Sequence, residues 1–428
     1  MKKLLLCGRT QFAPTVSVMI AAMLMVCALS GALTVRAAEP GTYNPGDIAV
    51  INRIIDNNGL DWPKAPEDGS SVPKKWEYVN DFGILWSEDD SDKRVVTIEL
   101  VLVDLSGSLD LGGLDFLKVL HCAGNQLTGL DSGKNAELEN LDVHCNDIKT
   151  LDLSKNSKLK YLEVCMNKLA KLDVSKNTKL NELSCGDNPL TDLDLSKNTK
   201  LKILDCQYSW RLTNLDLSKN VKLEDLNCVQ CWLTSLDLSK NTELESIDCR
   251  DNQLTTLDLS KNTMLRGLYC NENRLTAIDV SNCIELTYLS CEENYLTTLD
   301  VSKNTLLEKL SCQKNKLATL DLSNNTVLKF LDCRRNYFAS MDDVIGIENI
   351  RKVKFDPQYD QPTDDPPTDD PPDGDWQIDD DDELYEDYVY PPATEQDVPT
   401  GDAGTAAVIP LVMAGVAVLV LTARRKKM

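Results

Sequence analysis

Leu180-Asn181-Glu182-Leu183-Ser184-Cys185-Gly186-Asp187-Asn188-Pro189 runs directly into Leu190-Thr191-Asp192-Leu193-Asp194-Leu195-Ser196-Lys197-Asn198-Thr199-Lys200, and Leu201 begins the cycle again. Both halves have the form L-x-x-L-x-(L/C)-x-x-N, at lengths of ten and eleven residues. Neither length leaves room for a full helix, so each half predicts a short strand and then an asparagine-governed turn. The phrase Leu-Asp-Leu-Ser-Lys-Asn, with its variants, starts at residues 109, 130, 151, 172, 193, 215, 236, 257, 278, 299 and 320. The spacing is 21 except for one step of 22, between Leu193 and Leu215. Such a period belongs to a stacked array in which each unit buries its apolar face against the next. The expected architecture is a strand-dominated α/β-type repeat solenoid. It is a right-handed coil with leucines inside, parallel strands on both long sides and a small helical cap at the amino-terminal end.

Two asparagine columns run along this frame, Asn125 to Asn336 after the first half and Asn135 to Asn325 after the second. Asparagine can serve backbone groups at a turn that has no ladder partner, so both columns read as structural. Nine cysteines (Cys122, Cys185, Cys206, Cys228, Cys249, Cys270, Cys291, Cys312 and Cys333) share an inward strand position that Val143 and Val164 fill in two turns. A residue that exchanges with valine is a small apolar core group, so these thiols are expected to be reduced and buried. A soft-metal column is the alternative. An aspartate column, Asp110 to Asp321, stacks like charges, and it reads as a solvated acidic face or as a calcium column.

The 428 residues divide further. Residues 1–37 read as a secretory signal: Lys2, Lys3 and Arg9, an apolar stretch from Phe12 to Leu33, then Val35-Arg36-Ala37 as the cut site. An uncleaved anchor is the alternative. Residues 38–94 form the cap, with Ile48, Ile51, Ile54 and Ile55 at helical spacing and Trp76 and Trp86 as packing groups. The solenoid and its closing turn occupy 95–355. Residues 356–402 hold eighteen Asp and Glu and no Lys or Arg, and they supply most of the net charge of −23. With Pro366-Pro367 and Pro371-Pro372 they read as an extended stalk. Residues 403–428 combine an apolar run with Arg424, Arg425, Lys426 and Lys427, the order of a span with a cytoplasmic basic tail. The acidic balance argues against a nucleic-acid partner.

The repeats resemble bacterial cell-surface leucine-rich repeat proteins of the nested 21-residue class, with an internalin-like architecture, over about three fifths of the chain. Pro399-Thr400-Gly401, followed by the apolar run and the basic tail, resembles a sortase sorting signal. It departs from that signal in having no residue between Pro399 and Thr400. The resemblance implies sortase as a partner and anchorage to the wall or membrane of a Gram-positive-type bacterium. It also implies a protein or glycan ligand outside the cell.

No nucleophile–base–orienter set, phosphate loop or zinc spacing stands out, and no cofactor is implied. His121 and His144, the only histidines, read as solvent-facing strand residues. Three functions remain open: a binding module, a passive spacer or surface-layer component, and a carbohydrate-active enzyme, for which residues are lacking. The candidate ligand-binding group is Tyr208, Trp210, Arg211 and Trp232, at the one break in the repeat, with Tyr269 on the varied outward row. Trp210 and Trp232 each stand four residues after a column cysteine, so they are expected one above the other as an aromatic shelf.

Overall fold

The computed structural model describes residues 43–77 and 83–359. The expected signal peptide, nearly all of the expected acidic stalk and the expected sorting segment with Pro399, Thr400 and Gly401 lie outside the described residues. Among the described residues no helix is long and apolar enough to cross a membrane.

One helix, Pro45–Asn58, opens the described chain. Asn44 accepts the amide of Asp47, Pro45 takes the first turn, and Gly59 closes the helix at φ 60°. Ile48, Ile51, Ile54 and Ile55 are all buried. Asp47 is buried too, and it is held by Arg94 Nη2 at 2.9 Å and by the Val95 amide at 2.7 Å. That ion pair fastens the helix to the first full rung of the sheet. Trp76 is buried and donates Nε1 to the Pro63 carbonyl at 2.8 Å, while Trp86 packs edge-on against Tyr43.

The solenoid carries one sheet of 14 strands, from Gly83–Trp86 to Lys352–Lys354, whose strands pair in parallel from Val95–Glu99 onward. Most rungs are three residues centred on the buried leucine, as in Glu182–Ser184 paired with Ile203–Asp205. Adjacent rungs pair in register, Leu183 with Leu204 and Leu226 with Ile247. The leucines of both halves and the nine column cysteines fill the interior between the two long sides. A residue with positive φ, such as Asp187 at 49°, follows each cysteine by two positions and turns the chain off the sheet.

The second long side is laddered only near its two ends, where Ser106–Asp110 pairs with Gln126–Asp131 and Leu320–Asp321 with Val344–Ile345. Between them the backbone amides are used within each turn. The amide of Asn177 bonds the Val174 carbonyl, and the amide of Leu180 bonds that of Asn177. The aspartate column completes this turn. Oδ1 of Asp152 accepts the amide of Ser154 at 2.9 Å, and the same bond recurs from Asp110 to Asp321. Those bonds hold exposed carboxyls such as Asp152 and Asp216 below the usual range. A side chain that closes its own turn explains why the column never varies.

The first asparagine column is an inter-turn zipper. Asn188 Nδ2 donates to the carbonyls of Val164, one turn back, and of Cys185 in its own turn. Its Oδ1 accepts the amide of Leu169 at 2.9 Å. The second column uses mainly its donor half. Asn198 Nδ2 reaches the carbonyls of Val174 and Asn177, and its Oδ1 finds no partner.

All nine column cysteines are buried, and no disulfide joins them. Burial pushes the Cys333 thiol up to about 12, and those of Cys122, Cys270 and Cys312 well above the ordinary value. A buried, protonated thiol is slow to alkylate. Iodoacetamide should therefore leave the column unmodified in the native chain and modify it after denaturation, as read by mass spectrometry. Rapid native labelling of most column thiols would overturn this.

Candidate functional site

The outward row of the sheet is the surface on which the repeats differ most. Its residues follow the buried leucine of each rung. Adjacent strands are only about 4.8 Å apart, so long side chains on neighbouring rungs cover one another. The expectation of an open outward row is corrected here. Asp142, Glu163, Asp205, Ser290, Ser311 and Asp332 are all buried.

The sheet face, made of this row and of the row that precedes each buried leucine, is chemically graded. Its amino-terminal half is acidic. Burial pushes Asp205 up to about 7, helped by the charges of Glu163 and Asp248 and opposed by the Gln207 amide. Burial likewise pushes Asp225 up to about 8, with Asp205 and Asp248 adding to it. The carboxy-terminal half is aromatic and cationic. Tyr269 stacks on Tyr288 with centroids 4.7 Å apart and planes at 28°. Arg250 stands over Tyr269, Lys309 over Tyr288, and Lys352 and Lys354 over Phe330.

Both histidines are placed differently from their sequence reading. His144 is buried, with Nδ1 2.7 Å from Asp142 Oδ1 and 3.4 Å from Glu163 Oε1. Burial lowers its basicity, but the charges of Asp142 and Glu163 outweigh this and push it up to about 9. His121 is partly covered and pairs with Glu99 at 2.8 Å. Among the described residues, Asp142, His144 and Glu163 are the one group of at least three His, Cys, Asp or Glu whose ligand atoms all lie within 4.8 Å of one another.

The break in the repeat lies along a different row. Ser209 and Cys231 occupy the asparagine position in successive turns. Cys231 Sγ lies 3.1 Å from the Cys206 carbonyl, the place an asparagine amide takes elsewhere, while Ser209 Oγ has no partner. The inserted residue leaves Trp210 47% exposed, with the Arg211 guanidinium 4.3 Å from its ring centroid. Trp232 is 52% exposed and adopts φ 54°, a second left-handed residue in a turn that already has Gln230 at 54°. The two indoles make no ring contact, which corrects the expected stack. Tyr208 is half-buried at φ 55° beside this group. Tyr269 belongs instead to the sheet face, paired with Tyr288. The row preceding the leucine, which carries Tyr288 and Phe330, was the signal that sequence reasoning passed over.

No family model matches the chain, and no curated protein matches it. Among solved structures it is similar to the functional domain of InlJ from Listeria monocytogenes, which includes a cysteine ladder. The identity is 31% over 64% of this chain and 68% of that one, with a TM-score of 0.57. It is also similar in fold to the internalin InlF from the same species, at 20% identity, 64% and 92% coverage and a TM-score of 0.50. A leucine-rich repeat protein from Leptospira interrogans matches at 19% identity, 58% and 68% coverage and a TM-score of 0.51. With 31% identity across two thirds of the InlJ domain, the chain belongs to the internalin-type leucine-rich repeat proteins.

Proposed function

We propose that this chain is an exported, surface-displayed binding protein that recognises a protein or glycan without chemically altering it. The observation that carries this reading is the pair Trp210 and Trp232, exposed at the one break in an otherwise regular frame. Most other turns place residues suited to water at that level, among them Gln126, Lys168, Gln253, Arg274 and Lys316, while Tyr295 and Tyr337 add single aromatics nearer the carboxy-terminal end. Exposed Trp and Arg dominate binding hot spots, and flat aromatic faces also stack on sugar rings. A tryptophan held in a left-handed conformation is the kind of local strain that functional sites retain. The internalin-type neighbours agree with an extracellular binding scaffold.

The test is the double variant Trp210→Ala, Trp232→Ala, applied to arrays of glycans and extracellular proteins. Capture should fall by about 1,000-fold, the loss of two hot-spot residues at about 2 kcal/mol each, with the circular dichroism and melting profile retained. A folded double variant that captures as well as the unaltered chain would leave a passive spacer as the function.

Surface display rests on Pro399-Thr400-Gly401, the apolar run and the basic tail. If sortase uses this degenerate signal, Thr400→Ala should move the protein from muramidase-released wall material to the membrane fraction. Equal wall recovery of both forms would exclude sortase attachment.

A further inference from the structure

One device recurs on the sheet face, and in a single turn it is incomplete. The aspartate after the buried leucine is held by the side chain two residues on. Gln207 bonds Asp205 Oδ1 through its backbone amide and Oδ2 through Nε2, both at 3.0 Å. Arg250 grips the two oxygens of Asp248 at 2.8 and 2.7 Å, and Arg334 those of Asp332 at 3.0 and 2.8 Å. Both carboxylate oxygens are thereby used in three turns. In the fourth, His144 takes the place of Gln or Arg. Its backbone amide and its Nδ1 both go to Asp142 Oδ1, at 3.0 and 2.7 Å. Oδ2 of Asp142 is buried and finds no hydrogen-bond partner.

The next rung brings a second carboxylate to the same place. Glu163 pairs in register with Asp142, and its Oε1 lies 3.4 Å from His144 Nδ1. Tyr161 donates its hydroxyl to Glu163 Oε2 at 2.9 Å and so fixes how that carboxylate points. One nitrogen and two carboxylates therefore converge, although an imidazole N–H can be directed well at only one acceptor. Four donors set tetrahedrally around a zinc ion at about 2.0–2.2 Å stand roughly 3.3–3.6 Å apart. The contacts of 2.7 and 3.4 Å around His144 Nδ1 are within a small side-chain adjustment of that spacing.

We propose that Asp142, His144 and Glu163 form a binding site for a divalent first-row transition cation, with zinc(II) as its type. The ion replaces the Nδ1 proton of His144, which passes to solvent, and it takes as ligand the Asp142 carboxylate, whose Oδ2 has no other partner. An imidazole with two carboxylates suits zinc and its neighbours. Calcium takes six to eight oxygens and magnesium an octahedral, largely hydrated shell, so this site does not suit them. The hydrogen bond from Tyr161 is the outer support that a ligating carboxylate needs. The motif is D-x-H with a glutamate 21 residues after the aspartate. It is invisible to local ligand spacing because the solenoid, not the chain, brings its parts together.

The test titrates zinc(II) into the reduced full chain, with magnesium and calcium as comparisons. Zinc should bind at one tight equivalent per chain, and magnesium and calcium should not compete. His144→Gln and Glu163→Gln should each weaken zinc by at least about 100-fold. The chain contains two histidines, so imidazole NMR reads the site without any variant. One equivalent of zinc should shift the His144 resonances as its Nδ1 proton is replaced. No stoichiometric uptake by the unaltered chain would overturn the site. So would zinc bound with His144 unshifted, since the thiols would then be holding it.

Discussion

Asn273→Ala should destabilise the solenoid by about 3 kcal/mol, one of the largest effects available to a single polar substitution in this chain. Asn273 Nδ2 donates to the carbonyls of Cys249, Cys270 and Asn271, and its Oδ1 accepts the Leu254 amide at 3.0 Å. Neighbours partly cover its loss, because Asn252 also bonds the Cys249 carbonyl and Asn294 also bonds that of Cys270. The Leu254 amide has no such cover. An orphaned buried N–H costs about 1–3 kcal/mol, and the lost bonds contribute about 1 kcal/mol each before relaxation. In a quasi-one-dimensional array the damage falls on one interface, so the array should open there first. Hydrogen exchange should speed up at Leu254 and its flanking amides while the turns near the cap stay protected. A melting temperature within a degree of the unaltered chain would show that the zipper is redundant. The natural departures at Ser209 and Cys231 mark the interface that already has the weakest zipper. Cys231→Asn should slow exchange there.

The residues that face inward or govern turns were legible in the sequence because the period imposes one environment on each. Leu183, Cys185, Asn188 and Asn198 each stand for a whole column, and one turn is enough to infer the rest. The cap helix was legible too, from four isoleucines at helical spacing. Side chains that meet across rungs were not. His144 reads as solvent-facing until Glu163 is set beside Asp142, and that requires knowing that adjacent rungs register at 21 residues with no slip. The function of the aspartate column was missed for the opposite reason. The bond from Asp152 to the Ser154 amide is only two residues long, whereas the like charges that the column stacks lie between turns. The strands expected along the whole second side form only at its ends, although the aspartate turn is common to laddered and unladdered turns alike. The left-handed backbone of Trp232, φ 54°, is a local detail that no period encodes.

Thermal stability should peak at about pH 4 and fall by several degrees between there and about pH 9. An acid whose folded pKa is raised keeps a proton that the unfolded chain gives up. Its contribution is full below the unfolded value and is lost as pH rises through the folded one. Asp205 starts from 3.8 and reaches about 7 in the fold, and Asp225 reaches about 8. His144 acts in the same direction, since its value rises from 6.5 to about 9, so its ion pairing is full below about 6.5 and fades toward 9. The aspartate column acts oppositely. Asp152, Asp194 and Asp258 lie below 3.8 in the fold, so their contribution is lost only as pH falls through that region. The two losses meet at about pH 4, so the maximum lies there, and stability falls progressively as pH rises from about 4 through the folded values of about 7 and 8. Asp205→Asn isolates one component. The amide carries no charge to desolvate, and Gln207 can rotate its own amide to match it. This variant should melt higher than the unaltered chain at pH 8 and close to it at pH 5. A melting temperature that is flat or rising from pH 5 to pH 9 would mean that water or ions reach the buried row and screen it.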